Sequence, residues 1–275
     1  MAGQNSINTN IGAMVALRNM NVVTTELNKV QDRVSTGLKV IGAKDDASSF
    51  AIAQGLRAEI KAVSAVQQGL ANGRGLGAVS LAAATDISNV MADLKKKAIE
   101  GMNPANTVDQ QGILNADYAG LVQQILNVVQ NADFNGRNLL EATSTNVNVI
   151  ADTLGGTMTL RAQLLQTTVY AALNAVNLAN TVNATATLAV VNTAINTVNT
   201  SLGQLGADSR AIEAQENFLG AISDALEEGL GSIVDADLAK ESARLQALQV
   251  KQQLAVQALS IANGAPQVLL SLFRN

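Results

Sequence analysis

The chain contains neither cysteine nor histidine. No disulfide holds it, and zinc sites of the usual kind, thiol nucleophiles and serine–histidine–aspartate triads are excluded. Tryptophan is also absent, and aromatics make up 2% of the residues although 48% are hydrophobic. Compact enzyme cores usually lean on aromatic side chains for buried area, so this composition points elsewhere. Charged residues are scarce, 15% with a net charge of −4. A nucleic-acid binder needs a basic face to displace counterions, and none is visible. The run Lys95-Lys96-Lys97 reads as a solvated helix face. Residues 1–10 lack both a basic n-region and an apolar h-region, so no Sec-type signal peptide is expected.

What remains is alanine, leucine, valine, glutamine and asparagine, a mixture suited to long helices packed through small residues. The stretch from Leu245 to Phe273 carries one charge, Lys251. Read as a helix, it has two apolar stripes. One is Leu245, Leu248, Ala255, Leu259, Ala262, Leu269 and Phe273, with Gln252 and Pro266 at the intervening steps. The other is Val250, Leu254, Ala258, Ile261, Ala265, Val268 and Leu272. A helix apolar on one side packs on one partner, and a helix apolar on two sides needs more than one. Six glutamines, Asn263 and Pro266 interrupt the roughly 20 near-continuous apolar residues that a membrane span wants. The stripes also lack the basic polar face of a membrane-surface helix, so no membrane insertion is expected. A terminal helix is badly placed to be surrounded by its own chain, and other copies of the chain are expected to cover it.

Helical patterning begins near Ile7 and continues through Ile11, Met14 and Leu17. It then settles into steps of three and four at Met20, Val23, Leu27, Val30 and Val34, a coiled-coil seam. A helix over 7–35 stops at Gly37. Asp45-Asp46 offers the N-cap of a second helix that runs more than 50 residues to Gly101 and Asn103-Pro104. A third fits 108–132. Beyond the Asp133–Gly136 turn the period changes to two, at 146–150 and 157–160, and predicts a β-hairpin. Residues 162–207 carry no charge, and β-branched residues leave the early part open between helix and strand. A helical stripe is clear from Ile195 to Ile233. Gly229 and Gly231 mark a flexible point or a helix end, and Asp235 and Asp237 precede the terminal helix.

The fold class expected is therefore mainly α: long antiparallel helices from both termini in a coiled-coil and rod arrangement, with a small mid-chain hairpin. The first helix pairs with the last. Reactive chemistry finds little support. Gly73-Arg74-Gly75-Leu76-Gly77-Ala78 satisfies the loose dinucleotide-binding pattern, but a helix precedes it where a strand is needed. Close helix packing or a curved helix accounts for it better. Asp45-Asp46 and Glu227-Glu228 read as caps and solvated faces. No catalytic, metal or cofactor site is expected.

Several segments resemble bacterial flagellin, the subunit of the flagellar filament. Ile7-Asn8-Thr9-Asn10, the run 33–40 (RVSTGLKV) and 43–47 (AKDDA) are similar to family segments near the start, and Phe134-Asn135-Gly136 with Leu139-Leu140 to its turn before the hairpin. Val234-Asp235-Ala236-Asp237-Leu238 and the run 262–272 (ANGAPQVLLSL) resemble its C-terminal segments. The matches cover roughly 5–160 and 190–275 in order; no single one is decisive, but together they are highly specific. The resemblance implies an inner coiled coil from 1–44 and 235–275, a helical rod with the hairpin from 45–234, and no large outer domains. It implies a helical homopolymer that drives swimming, secreted through the flagellar type III export apparatus with a dedicated export chaperone, and capped at the tip beside hook-associated proteins. Assembly would use Ile7, Ile11, Met14, Leu17, Met20, Val23, Leu27, Val30 and Val34 at one end of the chain. At the other it would use Leu245, Leu248, Val250, Leu254, Leu259, Ile261, Val268, Leu269, Leu272 and Phe273. Asp93 stands where members sensed by the vertebrate flagellin receptor carry an arginine, which implies receptor evasion. The rivals are a hook–filament junction protein of the same superfamily and an extracellular adhesin or immune ligand.

Overall fold

The computed structural model describes residues 9–272, with side chains described through 264. Ile7 and Phe273 lie outside the described residues, as do the side chains of Val268, Leu269 and Leu272. The chain divides into two units, residues 1–58 with 226–275, and residues 59–225.

In the first unit, helix α1 spans Ile11–Thr36 and helix α6 spans Leu238–Leu272. Asn10, in extended backbone, caps α1 by accepting the Ala13 amide at 3.0 Å. Gly37 ends it at φ +74°, a conformation that costs glycine little, with its amide on the Arg33 carbonyl. The connector that follows is pinned by backbone bonds. The Lys39 amide donates to the Val234 carbonyl at 2.7 Å, and the Ala236 amide to the Gly37 carbonyl at 2.8 Å. Beneath it Val40, Ala53 and Val234 make a small core, flanked by Leu38, Phe50, Leu230 and Ile233. Asp46 accepts the Ser48 and Ser49 amides and the Ser49 hydroxyl at the start of helix α2 (Ala47–Gly101). Those bonds, the serine hydroxyl first, hold its carboxyl below the usual range.

In the second unit α2 runs on without a break. Its glycines are explained by what sits on them. A Cβ at Gly73 would meet Val149 at 2.7 Å, and one at Gly75 would meet the Phe134 ring at 2.5 Å. At Gly77 the neighbour is the Ser209 hydroxyl at 3.0 Å. Close packing, not phosphate binding, is thus the reason for the Gly-x-Gly-x-Gly run. Helix α3 (Val108–Asn131) starts on a capping box: the Thr107 hydroxyl accepts the Gln110 amide and the Gln110 side chain accepts the Thr107 amide. The Phe134–Arg137 turn leads to strands β1 (Val147–Ile150) and β2 (Thr157–Leu160), antiparallel with Val147 opposite Leu160 and Ile150 opposite Thr157. Arg161 grips Asp208 through Nη2 at 2.6 Å and Nε at 3.1 Å, tying the end of β2 to helix α5 (Thr181–Val234).

The charge-free segment resolves into a π-helical turn (Gln166–Tyr170), a single turn α4 (Ala171–Asn174), a loop, and then α5. The β-branched residues do not break α5. Thr185, Thr193, Thr197 and Thr200 each donate a hydroxyl to the carbonyl four residues back. Val191, Ala194 and Val198 are buried, and that burial outweighs their weaker propensity. Of the two alternatives at Gly229 and Gly231, the helix end is not found there, because α5 continues to Val234. Gly231 instead makes room for the Asp235 carboxylate, which would stand 2.7 Å from a Cβ there.

Candidate assembly surface

Helices α1 and α6 pack antiparallel along a seam that each builds from steps of three and four. On α6 the covered positions are Glu241, Leu245, Leu248, Gln252, Ala255, Leu259 and Ala262. This is the first of the two stripes read from the sequence, with Gln252 in its place. On α1 they are Ala13, Ala16, Met20, Val23, Leu27, Val30 and Val34. Continued back from Met20, the series thus falls on Ala16 and Ala13. Leu17 and Met14, together with Ile11, are not part of this seam. They face away from α6, with Met14 58% exposed.

Polar contacts mark the seam along its length. Arg33 Nη1 lies 3.4 Å from Glu241 Oε1, with Glu241 buried. Gln252 Nε2 reaches the Thr24 hydroxyl at 3.5 Å, and Asn10 Nδ2 donates to the Ala262 carbonyl at 2.7 Å. Glu26 and Arg244 face each other at 3.9 Å on the solvent rim.

Among the described residues, the second stripe of α6 is left uncovered. Val250, Leu254 and Ile261 are 55%, 60% and 71% exposed, and Val256 beside them is 52% exposed. On α1 the outward side is likewise apolar, with Ile11, Val15 and Val22 about half exposed. A shallow groove there is lined by Met14, Leu17 and Val22, with Arg18, Asn21, Thr25 and Glu26 at its polar positions. Thus each terminal helix presents one apolar side to the other and a second to water. Single exposed apolar residues are ordinary; a row of them along one helix side makes a candidate interaction surface.

Elsewhere several charged groups have structural partners. Lys97 bridges to Asp117 at 2.8 Å, which raises its pKa, and Asp45 is held low by Lys29 at 3.1 Å. Asp93 is exposed and borders a groove with Lys96, Ala116 and Asp117 between α2 and α3. Among the described residues no cluster of acidic side chains could hold a metal ion, and no helix is long and apolar enough to cross a membrane.

Long helices from both ends of the chain, paired by a heptad seam and apolar again on their outer sides, define a structural subunit built to associate. The comparisons identify which kind. The bacterial flagellin N-terminal helical region matches residues 7–145, and the bacterial flagellin C-terminal helical region matches residues 188–273. The chain is 38% identical to flagellin FljO and 39% identical to flagellin FljM of Caulobacter vibrioides, over 98% of this chain and 99% of each of theirs. It is 38% identical to a flagellin of Brucella melitensis over the same shares. The crystal structure of Bacillus cereus flagellin shares the fold, with a TM-score of 0.52 at 23% identity, over 55% of this chain and 88% of that one. The chain belongs to the bacterial flagellin family, as a structural subunit of the flagellar filament that serves motility.

Proposed function

We propose that residues 1–44 and 235–275 form the inner, tube-lining coiled coil of the filament, and that residues 45–234 form the rod around it. In this reading the outward stripes are the assembly surface. Each subunit joins its neighbours through two different surfaces repeated at every step, which gives an open helical polymer rather than a closed ring. The observation that carries the proposal is the uncovered row Val250, Leu254 and Ile261 on a helix whose other stripe is already paired. At about 25 cal/mol per Å², burying 1,000 Å² of apolar surface per subunit supplies roughly 25 kcal/mol before ordering entropy is subtracted.

The same reading gives the chain a secreted, extracellular destination. It adds a type III export apparatus, an export chaperone on the C-terminal helix, and contacts with the filament cap and hook-associated proteins. The family's structural role supports a protein without catalytic activity. Asp93 belongs here too: its charge, opposite to that of the arginine in receptor-sensed members, supports weak recognition by the vertebrate flagellin receptor.

The experiment is seeded elongation followed by light scattering and electron microscopy. The double variant Leu254→Ser/Ile261→Ser changes only exposed positions, so its free energy of unfolding stays within about ±0.5 kcal/mol per site of the parent. Losing two half-buriable side chains costs assembly about 3 kcal/mol per subunit and raises the critical concentration roughly 100-fold. Deletion of residues 240–275 abolishes growth. Undiminished elongation of either variant sinks the assigned role of the terminal helix.

A further inference from the structure

Proline 266 removes a hydrogen-bond donor from α6. In an α-helix the carbonyl of residue 262 receives the amide of residue 266, and proline has none. The carbonyl left over is the one that Asn10 occupies, Nδ2 to Ala262 O at 2.7 Å across 252 residues of sequence. Asn10 is at the same time the N-cap of α1, its Oδ1 on the Ala13 amide at 3.0 Å. The orientation of the amide follows from these two neighbours: the oxygen must face an N–H and the nitrogen a carbonyl.

We infer that Asn10 and Pro266 form a latch that closes the far end of the α1–α6 coil. Near its other end the coil is already held. The backbone bond from Ala236 to Gly37 and the Arg33–Glu241 pair fix the helices where the connector joins them. At the far end no covalent connection restrains them, and the seam there is weak. It consists of Ala13 and Ala16 on α1 and Leu259 and Ala262 on α6, three alanines in four positions, with little apolar area to bury. A directional bond is worth most where packing is thinnest. The latch also confines the N-cap. An aspartate would cap α1 but has no donor, and a serine or threonine would cap with the same single oxygen that carries its only O–H; asparagine caps with its oxygen and offers a separate amide nitrogen to the second helix. The latch lies within one chain, so it stands independently of how copies of the chain associate.

Two substitutions separate the latch from ordinary helix energetics, because each reverses a sign. Asn10→Asp keeps the cap, adds a charge that favours a helix N-terminus, and removes the donor. Cap logic alone has it strengthen α1. Pro266→Ala returns an amide to the Ala262 carbonyl and improves α6 as a helix. Helix logic alone has it stabilise the coil. With the latch, both weaken the pairing of α1. The readout is amide hydrogen exchange of residues 14–22 by mass spectrometry, on the full chain, in monomer and in filaments. Each variant raises exchange about fivefold, the factor for a net hydrogen bond of about 1 kcal/mol. The double variant raises it no further, because the two act on one bond. Unchanged or slower exchange in both forms overturns the latch, and so do two effects that simply add.

Discussion

Two alanine substitutions in α2, six residues apart in sequence, should differ in stability, one gaining and the other gaining nothing or losing. At Gly69 a Cβ meets nothing within 4 Å, whereas at Gly75 it stands 2.5 Å from Cζ of Phe134, with two more ring carbons at 2.9 and 3.0 Å. Glycine to alanine in a helix interior gains about 1 kcal/mol, partly by restricting the unfolded chain. Gly69→Ala keeps that gain. At Gly75 the ring must retreat by about 1 Å to restore ordinary contact of about 3.5–4.0 Å between carbons. The ring is held by the turn between Phe134 and Arg137, whose two backbone bonds close it at 2.8 and 3.1 Å. Overpacking of this kind costs about 1–3 kcal/mol. Gly75→Ala therefore nets roughly zero to 2 kcal/mol of destabilisation, and the two variants differ by about 1–3 kcal/mol. For a unit of this size each kcal/mol moves Tm by about 2–4 °C. Calorimetry should show Gly69→Ala melting a few degrees higher than the parent and Gly75→Ala level or lower. Equal increases in the two variants would refute the claim that the glycine run exists to seat Phe134 and Val149.

Tyr118 is buried and its hydroxyl donates to the Leu173 carbonyl at 2.9 Å; burial pushes the phenol well above its ordinary value. A folded-state pKa raised over the unfolded one gives stability that is complete below about pH 10 and lost as pH rises beyond it. Tyr118→Phe should cost about 1–2 kcal/mol at pH 7 by urea unfolding, through the orphaned carbonyl, and should flatten the fall in stability above pH 10. For Asp93, purified protein should activate a receptor reporter cell weakly or not at all, and Asp93→Arg should raise the signal. Strong signalling by the parent chain contradicts the assignment.

Much of the fold was legible because helices of this length repeat one rule many times. Steps of three and four over 20–34 fix which side of α1 is covered, and the switch to period two at 146–160 marks the hairpin. The two stripes of the last helix were visible for the same reason: Leu245, Leu248, Leu259 and Val250, Leu254, Ile261 fall on different sides of one cylinder. Local chemistry also spoke for itself at Asp46 and Gly37, where a cap or a left-handed turn concerns only neighbouring residues.

Other features needed the tertiary structure, because they depend on residues far apart in the chain. Nothing local says that Gly73 and Gly75 lie under Val149 and Phe134. Likewise, the threonine-rich start of α5 is helical because burial of Val191 and Val198 outweighs propensity, a term that single residues do not carry. The seam in the sequence starts at Met20, and only the packing of α6 shows that Ala16 and Ala13 continue its covered side. In sequence Pro266 is only an interruption; the fold brings Asn10 onto the carbonyl of Ala262. Periodicity determines that a helix has an apolar side; which partner covers that side is decided by contacts between distant segments, where shape and unpaired hydrogen-bonding groups select among apolar surfaces that look alike in sequence.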